Sequence, residues 1–130
     1  MNGLYLLTIK DTSNKINEKD LFYITNYIIK SKIGQSDIIQ YEFEHGKQDV
    51  IHIHCICKSS KQTIPNGFML TKYLHKYKIY HENNNAEIPT KSIIIHVSPI
   101  KDDYHLNTCY RYILKEKINY VKETECEFID

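Results

Sequence analysis

The stretch VIHIHCICK, residues 50–58, constrains this chain more than any other. Its Val and Ile side chains are β-branched, which suits a pleated strand better than a helix. In extended backbone, residues two apart project from one face, so His52 and His54 share a side while Cys55 and Cys57 point to the other. Two strand rises put the histidine Cβ atoms roughly 6–7 Å apart. A chain that spends two positions of its most β-prone run on imidazoles must either solvate that face or use it.

The neighbouring elements follow from the same periodicities. DIIQYEFE (37–44) alternates, HGKQD is a turn, and VIHIHCIC (50–57) returns as the second arm of a hairpin. GLYLLTIK (3–10) reads as a short, largely buried strand, and SIIIHVSPI (92–100) as another, ended by Pro99. NEKDLFYITNYIIKSKIG (17–34) places Leu21, Ile24 and Ile28 at helical spacing, with Asn17 as N-cap and Gly34 just past the end. NGFMLTKYLHKYKIY (66–80) predicts a second helix and HENNNAEIPTK (81–91) a polar loop. DDYHLNTCYRYILKEKINY (102–120) predicts a third helix, capped by Asp102 or Asp103. The tail VKETECEFID reads as a last strand or a frayed end.

The order β-α-β-β-α-β-α, with short links and a central hairpin, predicts an α+β fold. The expected form is a ferredoxin-like or RRM-like sandwich, with helices packed on a mostly antiparallel sheet of about five strands. At 130 residues the chain suffices for one domain around a single core. A formal net charge of +1 gives no strong global field, so coating of duplex DNA or binding to a membrane surface is not implied. No apolar run is long enough to span a bilayer, and MNGLYLLTIKD lacks the pattern of a signal peptide. Two of the four cysteines, Cys55 and Cys57, alternate within one strand, near the upper separation limit for a disulfide. They read as reduced apolar residues of an intracellular protein.

Two imidazoles on a rigid strand can reach one divalent ion, and an oxygen donor is needed to complete a site for Mg²⁺ or Mn²⁺. The facing strand offers Glu42 and Glu44 on one face; Glu44 is preferred because it lies nearer the turn, with Glu42 as the alternative. Cys55 and Cys57 point the other way, so a zinc site combining them with the imidazoles is disfavoured. On the third helix, Leu106, Tyr110, Ile113, Leu114 and Val121 gather into one apolar arc. Tyr110 falls inside that arc and Tyr112 outside it, on a stripe with Thr108 and Lys115. A tyrosine off the core stripe, followed one turn later by a lysine, is placed for chemistry: the ammonium favours a phenolate or stabilises charge on an attacked phosphate.

The pattern HIH at 52–54 followed by YILK at 112–115 resembles the HUH endonuclease superfamily, most closely the replication-initiator (Rep) nuclease domains of small circular single-stranded DNA viruses and plasmids. YLLTIK (5–10) is similar to the first family motif, FEHGKQDVIHIH to the metal-binding hairpin, and YILKE to the tyrosine motif, in the family's order along nearly the whole chain. The resemblance implies a Mn²⁺ or Mg²⁺ ion held by His52, His54 and Glu44, with Tyr112 as nucleophile and Lys115 assisting. It implies nicking of single-stranded DNA at an origin, including one presented as a stem-loop. A covalent 5′-phosphotyrosine adduct would form, and ends would later be rejoined, as in rolling-circle initiation. Thr8, Lys10, Lys58, Lys72 and Lys76 are the expected DNA contacts, the last two from a helix that interleaves Lys with Tyr. A helicase domain or host replication proteins are the implied partners. The implied compartment is the nucleus in a eukaryotic host and the cytoplasm otherwise. Two alternatives stand beside this reading: a single-tyrosine HUH transposase, which usually carries Gln where this chain has Glu116, and a non-enzymatic ferredoxin-like nucleic-acid-binding module.

Overall fold

A computed structural model of the protein describes residues 3–34, 38–46, 50–61, 63–81 and 84–114. The chain opens with β1 (Leu4–Asp11) and α1 (Glu18–Ile28), which a π-helical turn (Ile29–Ile33) continues. The hairpin β2 (Ile38–His45) and β3 (Ile51–Lys58) leads to α2 (Gly67–Lys76). Two short strands, β4 (Ile79–Tyr80) and β5 (Glu87–Ile88), precede β6 (Ile93–Pro99) and α3 (Asp103–Leu114).

The main sheet has the order β2-β3-β1-β6, with every neighbouring pair antiparallel. This is the expected α+β, ferredoxin-like arrangement, with four strands in the sheet rather than about five. β4 and β5 form a separate pair, where the end of a helix and a polar loop were expected. α2 stops at Lys76 because the apolar stripe of Leu70 and Leu74 meets Lys78 one turn later. Ile79 instead pairs with Ile88, and both are buried.

Strand parity divides the sheet into two faces. Leu7, Ile9, Ile53, Cys55 and Ile95 point to the side covered by α1 and α2, where Leu21, Ile24, Ile28, Leu70 and Leu74 complete the main core. Leu6 and Ile56 point to the opposite side, where they meet Cys109, Tyr112 and Ile113 of α3 in a smaller cluster. Each fully buried Leu or Ile contributes about 1.5–3 kcal/mol, so most of the stability sits between the sheet and the first two helices. α3 covers only part of the second face.

Three local devices fix this frame. Asn17 caps α1 by accepting from the Asp20 N–H at 2.8 Å, as its sequence position predicts. Asp102, not Asp103, caps α3, accepting from the His105 N–H at 2.8 Å. The connection from β1 to α1 turns around the buried Asp11, whose carboxylate accepts from the backbone N–H groups of Ser13, Lys15 and Ile16 and from the Ser13 hydroxyl. α2 lies close against the outer edge of β6. The Ile95 N–H donates to the Thr71 hydroxyl at 2.9 Å, and His75 Nε2 meets the Ile93 carbonyl at 2.9 Å. Edge groups that would otherwise template another strand are thereby occupied. The close approach needs Gly67, because a Cβ there would run into the Ile95 carbonyl.

Among the described residues, no helix is long and apolar enough to cross a membrane. Among the described residues, Cys55, Cys57 and Cys109 are buried and form no disulfide with one another. A hydrogen bond to Cys57, together with burial, holds the Cys55 thiol well above its usual range, which keeps it protonated and inert.

Candidate active site

The face opposite the main core carries the polar residues that the alternation predicted. Reading across the strands, Glu44, His52, Lys10 and Ile94 form one row, and Glu42, His54, Thr8 and His96 the next. The rows exist because the hairpin register pairs Glu44 with His52 and Glu42 with His54. That register shifts between Ile38 and Gln40. Had the pairing of Ile38 with Cys57 run on to the turn, Glu44 would oppose Ile51 and lie on the wrong face. The irregularity at the start of β2 goes with both glutamates facing the imidazoles.

Of those two glutamates, Glu44 joins the histidines. Its carboxylate reaches diagonally across the register and meets His54 Nε2 at 2.8 Å. One donor atom from each of Glu44, His52 and His54 lies within 4.8 Å of the others. A divalent ion with ligands at about 2.0–2.2 Å spans at most about 4.4 Å between donors, so small side-chain rotations close this set around one ion. Two imidazole nitrogens and a carboxylate oxygen are donors that a divalent cation accepts. Glu44, His52 and His54 are therefore a possible metal-binding triad. Glu42 is exposed and takes no part in it.

His54 is held at both ring nitrogens. Its Nδ1 lies 3.1 Å from the Thr8 hydroxyl, and both residues are buried, at 1% and 3% exposure. With Nε2 against the Glu44 carboxylate, that nitrogen carries the proton of a neutral ring and Nδ1 accepts from Thr8. With Nε2 turned to a cation, Nδ1 carries the proton and donates to Thr8. A hydroxyl serves either tautomer, which is what a histidine exchanging a carboxylate for a metal needs. Thr8 was expected to contact DNA; its buried hydroxyl is spent instead on orienting His54.

Tyr112 brings its ring to 5.3 Å from that of His54, centroid to centroid, with the planes at 81°. The route is not the expected one. Tyr112 was expected off the core stripe and Tyr110 within it; Tyr112 is 3% exposed and Tyr110 only half-buried at the cluster's margin. The buried stripe of α3 is Thr108, Cys109, Tyr112 and Ile113, turned by about 100°, one residue's rotation, from the arc of greatest hydrophobicity. The cause is the surface it covers. That face offers Thr8 and His54 beside Leu6 and Ile56, so the helix buries hydroxyl-bearing residues there. Tyr112 meets His54 because it faces the sheet. Elsewhere in the fold, the hydrogen bond between Tyr27 and Tyr73 pushes the Tyr27 pKa from 10.0 up to about 12.

The expected cationic contacts divide. Lys10 is half-buried directly across from His52, beside the triad. Lys58 is exposed, four residues beyond His54 and roughly 13 Å along the strand. Lys72 and Lys76 are exposed on α2, outside the triad. Lys115, Glu116 and Val121 lie outside the described residues, as does the side chain of Leu114. His96 on this face was missed at the level of sequence; it is exposed and paired with Thr8 across β1 and β6. Its signal was the alternation of IIIHVSP, which puts Ile94 and His96 on the histidine face.

No protein-family model matches the chain, and no curated protein sequence does. The structure is similar to the crystal structure of the hypothetical protein ORF119 from Sulfolobus islandicus rod-shaped virus 1, at a TM-score of 0.54 and 17% identity. The match covers 88% of this chain and 82% of that one. At that identity the likeness is one of fold.

Proposed function

We propose that the protein is a metal-dependent endonuclease and strand transferase of the HUH Rep type, acting on single-stranded DNA through Tyr112. The observation that carries this reading is the position of the Tyr112 ring at 5.3 Å from His54, one member of the Glu44–His52–His54 triad. A set of candidate donors and an aromatic residue from distant parts of the chain share one small area of the sheet face.

Glu44, His52 and His54 would hold a Mn²⁺ or Mg²⁺ ion, which would supply Lewis-acid polarisation of a scissile phosphodiester. The chain's own residues do the rest. Thr8 and Glu44 fix the His54 ring, so the donor face is organised before substrate arrives. Lys10, beside His52, adds positive charge where a phosphate would sit. The Tyr112 oxygen bonds to phosphorus as the P–O3′ bond breaks; the phenolic proton ends, in net terms, on the departing 3′-hydroxyl. The product is a 5′-phosphotyrosine linkage, close in energy to the diester it replaces. A new 3′-hydroxyl can therefore reverse the reaction and join ends.

The test is incubation of the protein with a randomised single-stranded library and Mn²⁺, followed by denaturing electrophoresis. The expected result is a covalent protein–oligonucleotide adduct that needs the metal, persists in Tyr110→Phe and vanishes in Tyr112→Phe. An adduct that survives Tyr112→Phe sinks the assignment of the nucleophile, and binding without any adduct leaves the non-enzymatic module. Preference for paired hairpin ends that are cut and joined to each other selects the transposase.

A further inference from the structure

Two open hollows lie along β6, one at its outer edge where α2 approaches and one beneath α3 on the histidine face. The first, of about 450 Å³, is lined by Phe68, Thr71, Ile94 and His96. The second, of about 420 Å³, is lined by Ser98, Lys101, Tyr104 and Thr108. His96 of the first and Ser98 of the second are two apart on the same face of β6, so the hollows are neighbours along the strand. Each hollow has a neighbour of the candidate site in its lining: His96 pairs with Thr8, which meets His54, and Thr108 stands one helical turn from Tyr112.

Each hollow is bordered by an aromatic ring that the fold does not bury. Phe68 is 70% exposed and Tyr104 82% exposed, and neither belongs to a core cluster. The Lys72 ammonium stands over the Phe68 ring, 5.1 Å from its centroid. Lys101 lines the second hollow, and the Asp102 carboxylate beside it accepts from the His105 N–H as the cap of α3. Exposed rings with cations beside them are what a single strand requires: bases stack on the rings and phosphates meet the ammonium groups. A duplex hides the faces of its bases and has no use for such rings.

We propose that Phe68 and Tyr104 are the base-stacking residues that lay a DNA single strand along β6, with Lys72 beside the first ring, and so position its phosphate at Tyr112. The proposal rests on the nuclease reading of the Glu44–His52–His54 triad and adds the path of the substrate. It also gives the expected DNA contact of Lys72 a place, beside the Phe68 ring.

The experiment is titration of a labelled oligothymidylate by fluorescence anisotropy in EDTA, so that binding is measured without cleavage. Phe68→Ala and Tyr104→Ala should each weaken binding by about 5- to 150-fold, the worth of one base stacked on an aromatic ring. Both residues are exposed, so the variants should melt at the parental temperature. Phe68→Trp should restore affinity, and its indole emission should be quenched by the oligonucleotide. An abasic oligomer should bind parent and alanine variants alike. Alanine variants that bind the thymidylate as the parent does overturn the stacking path, while leaving the nuclease reading intact if the adduct still forms. A parent chain that binds no single strand and forms no adduct overturns both.

Discussion

Thr8→Val isolates one atom of the candidate metal centre. Valine matches threonine in shape, so the substitution removes the hydroxyl 3.1 Å from His54 Nδ1 and little else. Thr8 and His54 are 3% and 1% exposed, so water cannot readily replace the lost partner. Without metal, the orphaned ring nitrogen should cost about 1–3 kcal/mol of folding stability. With metal, losing the group that orients a ligating histidine costs about 10- to 100-fold in affinity, or roughly 1.4–2.7 kcal/mol. Thr8→Ser keeps the hydroxyl and should hold affinity near the parental value. The assay is calorimetric titration with Mn²⁺ in two buffers of different ionisation enthalpy, which also counts the protons released on binding. Undiminished Mn²⁺ affinity in a folded Thr8→Val chain would refute the claim that this hydroxyl orients a metal ligand.

Other perturbations test the frame and the triad. Glu44→Ala should abolish Mn²⁺ binding in the same calorimeter and Glu42→Ala should not; equal losses would return both glutamates to contention. Asp11→Ala removes the acceptor of three backbone N–H groups and should lower stability by about 2–4 kcal/mol in urea unfolding, since charged acceptors are worth more than neutral ones. Gly67→Ala drives a methyl into the Ile95 carbonyl and should cost roughly 1–3 kcal/mol. A rise in melting temperature, as alanine usually gives within a helix, would show that α2 has room to move off β6. Raising the pH should weaken the fold by two steps with one sign. The Cys55 and Tyr27 pKa values are raised in the folded state, so their stabilisation is full below the unfolded values near 9.0 and 10.0 and is lost as pH climbs above them. Melting temperatures that hold steady from neutral pH to about pH 11 would contradict this.

What the sequence determined by itself was whatever depends on a fixed local period. Strand alternation put His52 and His54 on one face, apart from Cys55, and the hairpin signal brought Glu42 and Glu44 opposite them. Asn17, and the pair Asp102 and Asp103 between which the structure chose, marked helix starts because an exposed first turn needs an acceptor wherever it lies. The tertiary structure alone decided the phase of α3, the choice of Glu44, and the task of Thr8. Each turns on what lies across a gap that no local period spans. α3 buries Tyr112 because the sheet beneath it is partly polar, so its buried stripe departs from its most hydrophobic one. Glu44 is selected by a diagonal reach of its carboxylate, which strand register permits but does not dictate. Thr8 was expected to contact DNA from its place in the first family motif, and only the folded sheet shows its buried hydroxyl against His54 Nδ1. Periodicity gives the direction in which a side chain leaves the backbone; packing decides what it meets there.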